Sequence, residues 1–161
     1  MLKLLASAVS AMGLFSIGPA SPPRQIANPE GFRSWTHVKT AINDPQHAQY
    51  GRYRGIYHIY ANPLAMQGYR TGKFPDGAVI VFDLRDVVTT GYHSVTGDRR
   101  FIDVMEKDAA AFPTTGGWGY EEFAAGTGKK LSESDPAMAA RCHGCHVTQA
   151  ARDFVYSGFS E

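Results

Sequence analysis

Cysteine is scarce in this chain. Among 161 residues it occurs only at positions 142 and 145. A zinc site built on such a pair needs a second Cys/His cluster to complete it, and the sequence holds none. A disulfide between the two would close too short a loop to stabilise much. Charge of one sign is missing as well: 16 Lys and Arg stand against 15 Asp and Glu, a formal net charge of +1. No basic stripe is present, which argues against nucleic acid as a partner. There is no internal repeat, and no low-complexity region beyond a flexible segment expected at 21–29. No methionine follows residue 146.

Long apolar runs are absent except near the start. Residues 4–17 are apolar or small, follow Lys3, and precede Gly18-Pro19-Ala20. That order is the pattern of a secretory signal peptide, residues 1–20, with cleavage after Ala20. The alternative is an uncleaved anchor, for which the run is short, since a spanning helix needs about 20 apolar residues. The rest of the chain suits one domain with one core, at 30–161.

The two cysteines stand in Cys142-His143-Gly144-Cys145-His146. This is C-x-x-C-H, the attachment signature of a c-type haem. Each thiol can add to one vinyl group, and the following histidine is then held beside the iron as an axial ligand. Both cysteines are consumed. A thioredoxin-like C-x-x-C would sit near a βαβ start, which this stretch lacks. Haem is attached outside the cytoplasm, so export and the motif support each other. The expected location is a bacterial periplasm, and the expected cofactor is one covalently attached haem c.

Periodicity gives the elements. Phe32, Trp35, Val38 and Ile42 stand at helical spacing, which predicts a helix over 31–42. Residues 53–60 are aromatic and β-branched and predict a strand. A short helix is expected at 64–70, closed by Gly72, and a turn at Phe74-Pro75-Asp76-Gly77. Strands are expected at 78–84, 91–95, 101–106 and 118–123. Helix returns over 135–156, with Ser134 or Asp135 as cap and Pro136 in the first turn. The class is α+β: an antiparallel sheet of four or five strands, packed against a C-terminal helix that carries the haem motif.

Other candidate ligands carry little weight. His37, His47, His58 and His93 are each more often hydrogen-bonded residues than sixth ligands of iron. Met66 and Met105 read as core fillers. Arg99, Arg100 and Arg141 could pair with haem propionates, but solvation is the default. Trp118 and Tyr120 read as core or interface residues, and His143 points away from the iron if His146 binds it. On the strand at 78–84, Ala78, Ile80, Phe82 and Leu84 share one face and Val79, Val81 and Asp83 the other, and by this periodicity alone Phe82 reads as a core residue.

The segments IYANPLAMQGYRTGKFPDGAVIVFDL, FIDVMEKDAAAF, GGWGYEEF and CHGCH, in this order, resemble the cytochrome P-460 family. The resemblance implies a mainly β fold, haem between sheet and C-terminal segments, His146 as proximal ligand, an open opposite face, and a homodimer. In the family's catalytic type a lysine on the strand after the turn is cross-linked to the haem, and hydroxylamine is oxidised. Matched through Gly77, that position is Phe82, which cannot cross-link, and Lys73 lies before the turn. An aromatic residue there resembles the cytochromes c′-β, whose apolar distal pocket binds NO and CO. Tyr53 is the candidate for a second aromatic residue of the pocket, with Tyr57 as alternative. Matched through Lys107-Asp108, the distal carboxylate of the hydroxylamine-oxidising members falls near Asp103. A solvent-facing strand residue is the plainer reading of Asp103.

Three functional readings follow. The first is a periplasmic mono-haem protein with five-coordinate iron that binds NO or CO, for sequestration, sensing or detoxification. The second is a hydroxylamine-oxidising or peroxidase-like enzyme. The third is an electron-transfer cytochrome, with a redox partner protein and a sixth ligand from the chain.

Overall fold

The computed structural model describes residues 24–159. The expected signal peptide, 1–20, lies outside the described residues. Five strands form one antiparallel sheet in sequence order: β1 (Thr36–Ile42), β2 (Ile56–Ala61), β3 (Val79–Thr90), β4 (His93–Lys107) and β5 (Trp118–Ala124). Each strand pairs with the next. The α-helices among the described residues are α1 (Tyr50–Tyr53), α2 (Pro63–Thr71) and α3 (Met138–His146). This is the expected α+β architecture, with the motif on the C-terminal α-helix. Among the described residues no helix is long and apolar enough to cross a membrane.

The register gives the sheet two distinct faces. Side chains alternate along each strand, so register partners share a face. The inner face carries Ile59, Ala61, Ile80, Met105, Trp118 and Tyr120, all buried. Ala65 and Met66 of α2, Phe74 and Val155 pack on it, with Cys142 and Phe154 partly buried against it. The outer face carries Val81, Ile102, Val104 and Phe123, covered by Ile26 and Phe32. The described part of the segment expected to be flexible is docked: Ile26 is buried, and Arg24 pairs with Glu106 and Asp108. Asp83, also on the outer face, is fully buried and held by Arg99 (Nε–Oδ1 2.6 Å) and Arg85 (Nε–Oδ2 3.1 Å).

Local chemistry explains α2. Asn62 accepts the Ala65 N–H at 2.8 Å, Pro63 opens the helix, and Gly72 closes it at φ 78°. The same Asn62 donates to the Gly77 carbonyl at 2.9 Å, tying the helix to the turn before β3.

Four expectations need correction. The helix predicted over 31–42 is a 3₁₀ turn, Phe32–Ser34, followed by β1. Thr36, Val38, Thr40 and Ile42 are β-branched, and β-branching favours extended chain. Phe32 packs on the outer face and Val38 on the inner, while Ile42 is 61% exposed, so the helical spacing marks no single face. Second, Tyr53 is not a strand residue; it ends α1, and β2 begins at Ile56. Gly55 intervenes at φ 127°, where a side chain would strike the Arg85 carbonyl. Third, the two strands expected at 91–95 and 101–106 are one, β4, with Gly91 in the turn before it. Fourth, the C-terminal helix starts later and ends earlier than 135–156. It stops at His146, continues as 3₁₀ over Val147–Arg152, and then turns back.

Candidate functional site

The site lies between α3 and the inner face of the sheet. Spacing of three puts Cys142 and Cys145 one turn apart on one side of α3. Cys142 packs into the inner core, while Cys145 is exposed, with Gln49 Nε2 at 3.9 Å from its sulfur. The two are not joined in a disulfide. Burial, reinforced by the charges of Asp103 and Glu122, pushes the Cys142 thiol up to about 12.

His146 is the last residue of α3. Its Nδ1 lies 2.7 Å from the Phe154 carbonyl oxygen. A carbonyl only accepts, so Nδ1 carries the proton and the Nε2 lone pair is free for a metal. Burial holds the ring's pKa below its ordinary value, which favours the neutral, ligating form. The ring is flanked by Tyr120 and Tyr156, each with a centroid separation of 5.2 Å.

The chain reaches back to His146 through a strained turn. Asp153 and Phe154 both adopt positive φ, 51° and 65°. Left-handed backbone costs an L-residue about 1–2 kcal/mol. The turn is held by the Phe154 N–H to the Gln149 carbonyl (2.8 Å) and by Trp118 Nε1–H to the Asp153 carbonyl (2.8 Å). The Phe154 ring lies where a side chain on Gly116 would stand.

Facing this assembly is an aromatic wall on the sheet. Phe82 stacks on Tyr57 at 4.7 Å and meets Tyr53 edge-on at 6.0 Å. Tyr53 also meets Phe101 at 5.7 Å. Tyr53 and Tyr57 thus both touch Phe82, although Tyr53 arrives from α1. Asp103 is the register partner of Phe82, and Glu122 that of Asp103. Asp103 is therefore half-buried on the inner face, not turned to solvent. Burial, and then the neighbouring Glu122 carboxylate, raise its pKa well above the ordinary value. Burial and the Asp103 charge likewise raise Tyr53. Glu122 is paired with Arg52.

Glu122 and Arg52 escape a reading by residue type. One signal was present: on β5, Glu122 shares a face with Trp118 and Tyr120, so it is a carboxylate at a core-facing position.

The remaining candidates lie elsewhere or are committed. His37 and His58 both contact Thr40 Oγ1 at 2.8 Å, on the outer side. His93 pairs with Thr90 at the hairpin tip, and His47 lies edge-on to Tyr53 at 6.3 Å. Met66 and Met105 are core residues. Arg99 is committed to Asp83, Arg100 to the Arg54 carbonyl, and Arg141 to Asp135. His143 lies between Tyr120 and Phe154, at 6.0 and 5.4 Å.

Among the described residues two buried polar atoms have no partner, Tyr120 Oη and His143 Nδ1. Native structures leave few such atoms unpaired without a reason. These two flank His146, on the side of the sheet that carries Cys142. Two thiols, a neutral imidazole with a free Nε2, an aromatic wall and unpaired polar atoms are a donor set that fits haem. Comparison with curated proteins gives no match. The family model Cytochrome P460 matches residues 29–157, nearly all of the described chain. The chain belongs to the cytochrome P460 family, and its cofactor is haem.

Proposed function

We propose that this protein is a periplasmic mono-haem cytochrome, with haem c bound through Cys142 and Cys145 and iron ligated by His146. It binds NO or CO at an open sixth position. The observation that carries this reading is the stacked Phe82–Tyr57 pair at 4.7 Å. Phe82 stands where the family resemblance expects a cross-linking lysine in the catalytic type. A phenyl ring offers neither a ligand for iron nor a hydrogen bond for a bound molecule. It leaves room for small, uncharged diatomics, as in the cytochromes c′-β. The bound haem would supply a redox-active iron able to take such a ligand. The protein supplies the rest: His146 oriented by Phe154, an apolar wall that limits size, and Tyr53 at its margin.

A second reading rests on Asp103. A carboxyl whose pKa is raised by burial and by a neighbouring carboxylate, beside an open ligand position, is equipped for acid–base work on a nitrogen substrate. Arg52 and Glu122 would connect it to the surface, where Arg52 is 46% exposed. The reading is hydroxylamine oxidation. Titration of the reduced holoprotein with CO, with a hydroxylamine turnover assay on the oxidised form, separates the two. Saturable CO binding without turnover supports gas binding. Sustained turnover transfers the assignment to the enzyme.

A second copy of the chain is the expected partner, by family resemblance. The β3–β4 hairpin exposes Val88, Tyr92 and Val95, an apolar tip suited to such a contact. Sedimentation of the holoprotein tests it.

A further inference from the structure

Lys107 and Asp153, 46 residues apart in sequence, form an ion pair, Nζ to Oδ1 at 2.7 Å, with side chains 11% and 9% exposed. The pair sits at the end of β4, on the inner face. Lys107 also donates to the Gly116 carbonyl at 2.9 Å and lies 5.0 Å from the Trp118 ring centroid. The other carboxylate oxygen of Asp153 accepts the Phe74 N–H at 2.9 Å. Asp153 is thus fastened to the strand, to the turn before β3 and, through its carbonyl, to Trp118.

These contacts converge on a residue with positive φ. The next residue, Phe154, also has positive φ, and its carbonyl accepts the hydrogen bond from His146 Nδ1–H. A core ion pair alone could sit anywhere on the sheet. This one holds the turn that aims the Phe154 carbonyl.

We propose that Lys107 and Asp153 are positioning residues for the iron ligand. They hold Phe154 so that its carbonyl accepts a short hydrogen bond from His146, fixing the ring's tautomer and raising its donor strength toward iron. Outer hydrogen bonds of this kind set the orientation and basicity of ligating histidines. The proposal rests on His146 being the axial ligand.

The test is resonance Raman spectroscopy of the reduced holoprotein, reading the iron–histidine stretch, with the reduction potential as a second readout. Loss of that band in His146→Gly identifies it in the wild type. Lys107→Met should shift the band to lower frequency and raise the potential, because a looser hydrogen bond leaves the imidazole a weaker donor. Lys107→Arg, which keeps the charge, should restore both. Trp118→Phe removes the donor to the Asp153 carbonyl while keeping an aromatic ring beside Lys107, and should shift the band the same way, by less. It serves if Lys107→Met does not fold. A wild-type band and potential in Lys107→Met, or in Trp118→Phe where that variant must serve, would overturn the proposal, even with a lower unfolding temperature. A wild-type protein with no band dependent on His146 would instead overturn the ligand assignment beneath it.

Discussion

Phe82 on β3 and Asp103 on β4 are register partners, so an aromatic ring and a carboxyl stand side by side on the inner face of the sheet. The row continues from Ile59 through Phe82 and Asp103 to Glu122. It is apolar at one end and acidic at the other. At the acidic end, burial and the neighbouring Glu122 carboxylate raise the Asp103 pKa.

Phe82→Ala would remove the ring that stacks on Tyr57. The side chain is half-buried, so the stability loss should fall at the lower end of the range for Phe to Ala, about 3 kcal/mol. CO should rebind faster after photolysis of the reduced protein, because the ring no longer narrows the approach. Unchanged rebinding would place Phe82 outside the ligand's path.

Asp103 makes stability depend on pH. Its pKa is raised in the fold, so its favourable contribution is complete below the ordinary carboxyl range and is lost as pH rises through the raised value. Asp103→Asn mimics the protonated group. The variant should therefore match or exceed the wild type in melting temperature near pH 8, with the difference closing toward pH 4. A melting temperature below the wild type at pH 8, equal at pH 4, would reverse the sign and refute the buried-acid reading.

Asp83 serves the fold. It has no exposure and two arginine partners, Arg85 and Arg99. Asp83→Ala leaves both cations facing a void and should cost about 3–5 kcal/mol in chemical denaturation. The visible spectrum of the folded fraction should not change, since the pair lies on the outer face.

Cys142→Ala and Cys145→Ala should each leave haem attached through one thioether. The double variant should release it to acidified organic solvent, with loss of haem staining on denaturing gels. Haem retained by the double variant would mean that another residue holds it.

The motif, the sheet class and the faces of β3 were legible because each depends on near neighbours: a five-residue spacing, a two-residue alternation, a Pro-Asp-Gly turn. The region at 31–42 misled because its apolar residues matched a helical period by coincidence while their β-branching favoured a strand. Tyr53 could be named as a neighbour of Phe82 but not placed on its element, since Gly55 turns the chain between it and β2. Glu122, Arg52, Lys107 and Asp153 stayed hidden for another reason. Their roles come from strand register and from contacts 46 and 70 residues apart, which spacing does not encode.

The most direct test is the absorption spectrum of the reduced holoprotein before and after NO is added. A high-spin ferrous spectrum that shifts on NO binding, without the red-displaced band of a cross-linked haem, is the expected result. A low-spin spectrum indifferent to NO would contradict the open sixth position and point to electron transfer.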